Sequence, residues 1–149
     1  MMKMEIKNYQ VTDILLLRRN VMRPGMESFE DVMYEKDNHA SAIHLGIKKD
    51  GKIIACVSAY EEYNPDLPNK IHYRFRALCV DENYRMQGIA RKLFDKLIEE
   101  VIKKGAQAIW FTARTHLVKF YNSFGFKEYG EEFLIPNSCM HIKMYKVVK

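Results

Sequence analysis

The seventeen residues from Leu78 to Phe94, LCVDENYRMQGIARKLF, restrict the fold of this chain more than any other stretch. The alternating run before them, Ile71 to Val80, ends in Leu78, Cys79 and Val80, as a strand entering a core does. A helix follows at once. Ala90, Leu93, Phe94, Leu97, Ile98 and Val101 recur at helical spacing, while Arg91, Lys92, Asp95, Lys96, Glu99, Glu100, Lys103 and Lys104 take the other face. Gly105 stands where a left-handed cap residue would end that helix. Between strand and helix, Arg85, Met86, Gln87, Gly88, Ile89 and Ala90 offer consecutive backbone N–H groups at a helix N-terminus, where unpaired donors and the helix dipole attract an anion. The small Gly88 and Ala90 would let a phosphate approach the backbone.

The remaining elements assemble around this unit. Lys3 to Tyr9 reads as a first strand, and Thr12 or Asp13 as the cap of a helix running through Ile14, Leu15, Leu16 and Leu17 to Val21, broken by Pro24-Gly25. A second, weaker helical segment is expected near Glu27 to Glu35, and Asp37, Asn38 and His39 read as loop. Ser41 to Lys48 and Lys52 to Tyr60 flank Lys49-Asp50-Gly51, a strong hairpin signal. Asn64-Pro65 and Leu67-Pro68-Asn69 make a loop before the central strand. Ala108 to Phe111 read as a buried strand, and Thr115 as the start of a helix that Gly125 ends. Phe126 to Phe133 and Met140 to Val147 read as closing strands joined through Pro136-Asn137-Ser138. This order predicts one α/β domain over residues 1–149, with a mixed sheet of about six to seven strands and helices on both faces.

Composition narrows the function classes. A chain of 149 residues with 48% hydrophobic and 29% charged residues matches soluble globular proteins, and no apolar run approaches the length of a membrane span. The N-terminus lacks the apolar stretch and cleavage site of a signal peptide, so a cytoplasmic location is expected. Cys56, Cys79 and Cys139 are widely separated, with no C-x-x-C pair and no His at ligand spacing, so we expect buried thiols and no metal. The net charge of +5 is spread along the chain, with no basic stretch interleaved with aromatics. It suits an anionic small molecule as well as a nucleic acid, and a nucleic-acid partner is not expected.

Three separate stretches resemble the GNAT superfamily of N-acetyltransferases. Arg85-Met86-Gln87-Gly88-Ile89-Ala90 is similar to its pyrophosphate loop, preceded by Leu78-x-Val80, and Phe120-Tyr121 with Gly125-Phe126 is similar to its C-terminal pattern. Leu17-Arg18-Arg19 with Arg23-Pro24-Gly25, Trp110 to Arg114, and Gly130 to Phe133 leading to His141 look like a bacterial subgroup of unassigned substrate. A Gly-rich hexamer alone is weak evidence; the second motif, in order and at the right distance, gives it weight.

The resemblance implies a fold with splayed central strands and direct transfer of an acetyl group from acetyl-CoA to a primary amine, on a small molecule or a peptide. It implies that the main chain of Leu78 and Val80 holds the thioester carbonyl and the pantetheine arm. It also implies that Arg85 to Ala90 hold the pyrophosphate and that Tyr121 is the general acid for the departing thiolate. Packing alone would also explain Leu78, Val80 and Tyr121, and a solvated loop would explain Arg85. Family members often carry a Glu or His base where this chain has Arg74 and Arg76, which stay protonated. These two would clamp a carboxylate or phosphate on the acceptor, or form an exposed cationic strand face. His141 is the first choice of base, ahead of His116, His72, Glu61, Glu62 or an ordered water. The missing base leaves a second class open, a CoA-binding module or sensor with little turnover. Oligomeric state is not encoded in any motif, a homodimer included.

Overall fold

The computed structural model describes residues 4–149. In chain order it contains β1 (Ile6–Asn8), α1 (Val11–Met22), β2 (Ile43–Lys49), β3 (Lys52–Glu61), β4 (His72–Val80), α2 (Ile89–Lys103), β5 (Ala108–Arg114), α3 (Val118–Asn122), β6 (Lys127–Leu134) and β7 (Met140–Val147). The strands form a seven-stranded sheet in the order β1-β2-β3-β4-β5-β7-β6. Every neighbouring pair is antiparallel except β4–β5, which α2 makes parallel by carrying the chain back across the sheet. The mixed, mostly antiparallel α/β architecture expected from the sequence is the one observed.

Each sheet face is closed by a different helix. Ile43, Leu45 and Ile47 of β2, Val57 and Ala59 of β3, Tyr73 and Phe75 of β4, and Ile109, Phe111 and Ala113 of β5 share one core with Leu93, Phe94, Leu97 and Val101 of α2. Ile14, Leu15 and Leu17 of α1 cover the opposite face together with Ile53, Cys56 and Cys79. Cys56 and Cys79 are buried as expected, whereas Cys139 is only half-buried. No helix among the described residues is long and apolar enough to cross a membrane.

Two irregularities of β4 shape the centre of the sheet. Cys56 opposes Cys79 and Ser58 opposes Arg76, so Val57 faces both Ala77 and Leu78. This is a β-bulge, and Ala77 accommodates it with φ 52°. The inserted residue reverses the side-chain parity. Tyr73 and Phe75 point into the α2 core before it, Leu78 and Val80 pack there after it, and Ala77 and Cys79 join the α1 cluster. The second irregularity is a splay: β4 pairs with β5 only from His72↔Ala108 to Arg74↔Trp110, while β5 pairs with β7 along its whole length. Beyond Arg74 the two central strands part.

Several local expectations are corrected. Helix α1 starts before Thr12, with Gln10 as its cap, because Asp13 Oδ2 accepts from the Gln10 N–H at 3.0 Å. Glu27 to Glu35 forms only a 3-10 turn at Glu30–Val32. There, arginines of α1 take the carbonyls of Glu27 (2.7 Å) and Val32 (2.9 Å) that a helix would need. The segment beginning at Thr115 is a 3-10 turn for three residues before it becomes α3. The Asp50-Gly51 turn is as expected, both residues having positive φ. Lys3, at the edge of the expected first strand, lies outside the described residues.

Candidate active site

The turn after β4 is built to leave backbone donors free. Gly88 caps α2 with φ 74° and no side-chain hydrogen bond, so the first N–H groups of the helix have no capping acceptor from that residue. Met86 is also left-handed, with φ 64°, and alternation of this kind turns successive N–H groups toward one side. A Cβ added at Gly88 would meet nothing within 4 Å, so open space lies directly over the turn. That space belongs to a groove of about 270 Å³ lined by Val80, Tyr84, Arg85, Met86, Gly88, Ile89, Ala90, Arg91 and Phe120. Gln87 lies between them on the same exposed turn. The exposed Arg85 folds back over the strand end, its Nε donating to the Val80 carbonyl at 3.2 Å. Arg91, placed by the sequence only on a polar helix face, bonds Ser123 Oγ at 2.7 Å and lies 4.5 Å over the Phe124 ring, fastening α2 to the end of α3.

Tyr121 is buried in the core shared with α2, beside Phe120 of the groove wall. Its ring packs at 4.6 Å from Phe111 and 5.4 Å from Phe94. Burial, assisted by the Cys79 thiol and opposed by Arg114, pushes its phenol up to about 12. A phenol so placed keeps its proton across the physiological range, which suits a proton donor and not a base.

The face of β4 toward α1 is chemically different, because buried polar groups join the apolar cluster there. Arg18 is fully buried. Its guanidinium makes a bidentate pair with Asp37 (2.9 and 3.0 Å) and donates to Ser58 Oγ at 2.8 Å. Burial alone would lower the Arg18 pKa, but the hydrogen bond and charge of Asp37 raise it overall. Asp37 also accepts from the Tyr34 N–H at 2.8 Å, and the Tyr34 ring lies between Arg18 (4.9 Å) and Arg76 (4.3 Å). Arg76 Nε donates to Tyr60 Oη at 2.7 Å. Arg74 pairs with Glu62 at 2.8 Å and covers the Trp110 ring at 4.5 Å. Burial, then the charge of Arg76, lowers the Arg74 pKa against the opposing Glu62. Neither arginine is the fully exposed strand face that was one of the two expectations.

His141 stands on β7 directly opposite Arg114 of β5 and next to Phe133 of β6. Its Nδ1 lies 2.6 Å from the Cys139 carbonyl. A carbonyl only accepts, so Nδ1 carries the proton and Nε2 keeps its lone pair. Burial lowers the imidazole pKa, the Cys139 bond opposes this, and the charges of Arg114, Arg23 and His116 lower it further. The imidazole is therefore neutral at pH 7.

The fold thus brings Leu78, Val80, the turn from Arg85 to Ala90 and Tyr121 to the α2 side of the splay. Arg74 and Arg76 lie on the opposite face of β4. The sequence reading gave no role to Arg18, Asp37, Tyr34 or Arg114. One signal was present: Arg18 follows Ile14 by four residues, on the buried stripe of α1, and a charge at a core position demands a partner.

Comparison with known proteins decides what this arrangement belongs to. Residues 10–126 match the Acetyltransferase (GNAT) family. The chain belongs to the GNAT family. It is 34% identical over 146 residues to the uncharacterized N-acetyltransferase YitI of Bacillus subtilis (strain 168), covering 98% of this chain and 97% of that one. The crystal structure of Escherichia coli ElaA has the same fold, with a TM-score of 0.80 at 20% identity, covering 97% of this chain and 99% of ElaA. The NatC complex, solved with a Gag peptide and CoA, contains a chain with a TM-score of 0.75 at 15% identity, covering 99% of this chain and all of that one (100%). As a GNAT protein the chain is an acyltransferase with N-acetyltransferase activity, and proteins of this family act on amines.

Proposed function

We propose that residues 1–149 form one cytoplasmic N-acetyltransferase domain that moves an acetyl group from acetyl-CoA to a primary amine by direct transfer. The observation that carries this reading is the coincidence of three features on β4 and the turn that follows it: the splay beyond Arg74, the bulge at Ala77, and the open, donor-rich turn at Gly88. The site fits the co-substrate, because the space over Gly88 is open and the groove runs from the turn to Val80 and Phe120. Acetyl-CoA supplies the activated acyl group as a thioester. The N–H groups of the turn from Arg85 to Ala90 bind pyrophosphate oxygens, with Arg85 adding charge. Main-chain groups of Leu78 and Val80, left without β5 partners by the splay, hold the arm like an added strand and orient the reacting carbonyl.

The attacking amine loses a proton to Nε2 of His141, directly or through a water, as the C–N bond forms. The C–S bond breaks, and the leaving sulfur takes the Tyr121 proton. Arg74 and Arg76 face the acceptor side. Calorimetric titration with acetyl-CoA and thiol release across an amine panel test the reading. Micromolar binding with turnover is expected; no binding at millimolar acetyl-CoA overturns it, and tight binding without turnover identifies a CoA-binding module instead.

A further inference from the structure

The arginines around the splay are employed in two different ways. Arg18 and Arg74 are each paired with a carboxylate, at 2.9 and 2.8 Å. Arg76, at the mouth of the splay, forms no ion pair among the described residues. Among the described residues only its Nε is engaged, by Tyr60 Oη at 2.7 Å, and the Tyr34 ring holds the guanidinium plane at 4.3 Å. Tyr34 is itself fixed through its N–H to the buried Asp37. The outer Nη edge of Arg76 is thus presented, pre-oriented, with donors spaced for a carboxylate fork. Across the opening, Arg114 ends β5 opposite His141 and likewise has no ion-pair partner among the described residues. Its charge reaches both Tyr121 and His141.

We infer that the acetyl acceptor is a small amine bearing a carboxylate, and that this carboxylate docks on Arg76 with Arg114 on the facing wall. The inference rests on the acetyltransferase reading and names the substrate class for it. Arg76 lies two residues before Leu78, across the bulge at Ala77, so the two Cα atoms are at most about 7 Å apart, the reach of two extended residues. An anion on Arg76 and an amine at the reacting carbonyl therefore fit in one short molecule, such as an α-, β- or γ-amino acid. Arg74 is not part of this anion site, since Glu62 already neutralises it. Polycationic acceptors are disfavoured, because Arg76, Arg114 and Arg23 would repel them.

The test compares free amino acids with their own primary carboxamides as acceptors, using thiol release from acetyl-CoA. The acids are expected to exceed the amides in kcat/KM by roughly 10- to 100-fold, the range for losing a charge-assisted hydrogen-bond pair. Arg76→Gln is expected to bring that ratio close to one, Arg76→Lys to keep part of it, and Arg114→Gln to reduce it severalfold. The last variant serves if the packed Arg76 position proves intolerant. Amides equal to acids in the wild-type protein, or an unchanged ratio in both Gln variants, overturn the inference. If acetyl-CoA binds and nothing turns over, calorimetric titration of acids and amides into the CoA-loaded protein decides, and equal or absent binding of the acids is the negative result. If acetyl-CoA itself does not bind, the enzyme reading fails separately. The same titration into the free protein then tests the anion site, with the same negative result.

Discussion

Replacing Asp37 by Asn tests whether the polar face of the sheet is organised by one buried ion pair. The substitution is nearly isosteric, yet it removes the only carboxylate paired, among the described residues, with a guanidinium that is 0% exposed. Two short contacts to Arg18 and one to the Tyr34 N–H depend on the same carboxylate. Breaking a buried pair by removing one partner costs about 3–5 kcal/mol. With about 2.1 cal/mol/K of unfolding entropy per residue, 149 residues give about 0.31 kcal/mol/K, so the midpoint of thermal unfolding should fall by about 10–16 °C. Urea denaturation with an unchanged slope would confirm that the folded state is the one affected. The double variant Arg18→Met with Asp37→Leu removes both charges and should be less destabilised than Asp37→Asn alone. A loss below about 1 kcal/mol in the single variant, or a double variant that is worse, would refute the reasoning, since the pair would then not depend on mutual neutralisation. Because Asp37 also fixes Tyr34 beneath Arg76, acceptor KM should rise in the single variant while acetyl-CoA affinity does not.

Four further outcomes follow from the same geometry. Tyr121→Phe should lower kcat at least about tenfold and change acetyl-CoA affinity little, because only the proton donor is lost; an unchanged kcat removes Tyr121 from the mechanism. The acid limb of kcat/KM should have its midpoint below the ordinary His value of about 6.5, because burial lowers the His141 pKa and its neutral form is the active one; His141→Gln should abolish that limb. His44 lies between Ser58 Oγ (2.6 Å) and the Asp37 carbonyl (2.8 Å), with its pKa lowered by burial. Its contribution to stability is complete above about pH 6.5 and is lost as the pH falls toward its folded pKa, so the unfolding midpoint should drop on acidification and the drop should shrink in His44→Gln. Gly88→Ala should weaken acetyl-CoA binding measurably, since the added Cβ enters the open space over the turn and about 1–2 kcal/mol opposes its φ of 74°.

Much of this protein was legible as local pattern. The helical spacing from Ile89 to Val101, the Asp50-Gly51 turn and the donor-rich hexamer are encoded within a few residues of one another, where periodicity and turn chemistry act. They were enough to set the α/β class, the mixed sheet and the family resemblance. The bulge was not legible, because the run from Ile71 to Val80 alternates plausibly without it. Only pairing with β3 reveals that Ala77 is inserted and that Leu78 and Val80 therefore share a face with Tyr73 and Phe75. The division of labour among the arginines was equally hidden. Arg18 finds Asp37 across 19 residues and Arg74 finds Glu62 across 12, while Arg76 and Arg114 find no carboxylate among the described residues. A charge in a sequence carries no record of whether the fold will neutralise it. That depends on which chain segments the sheet brings within about 4 Å, and here it separates the structural cations from those left facing the splay.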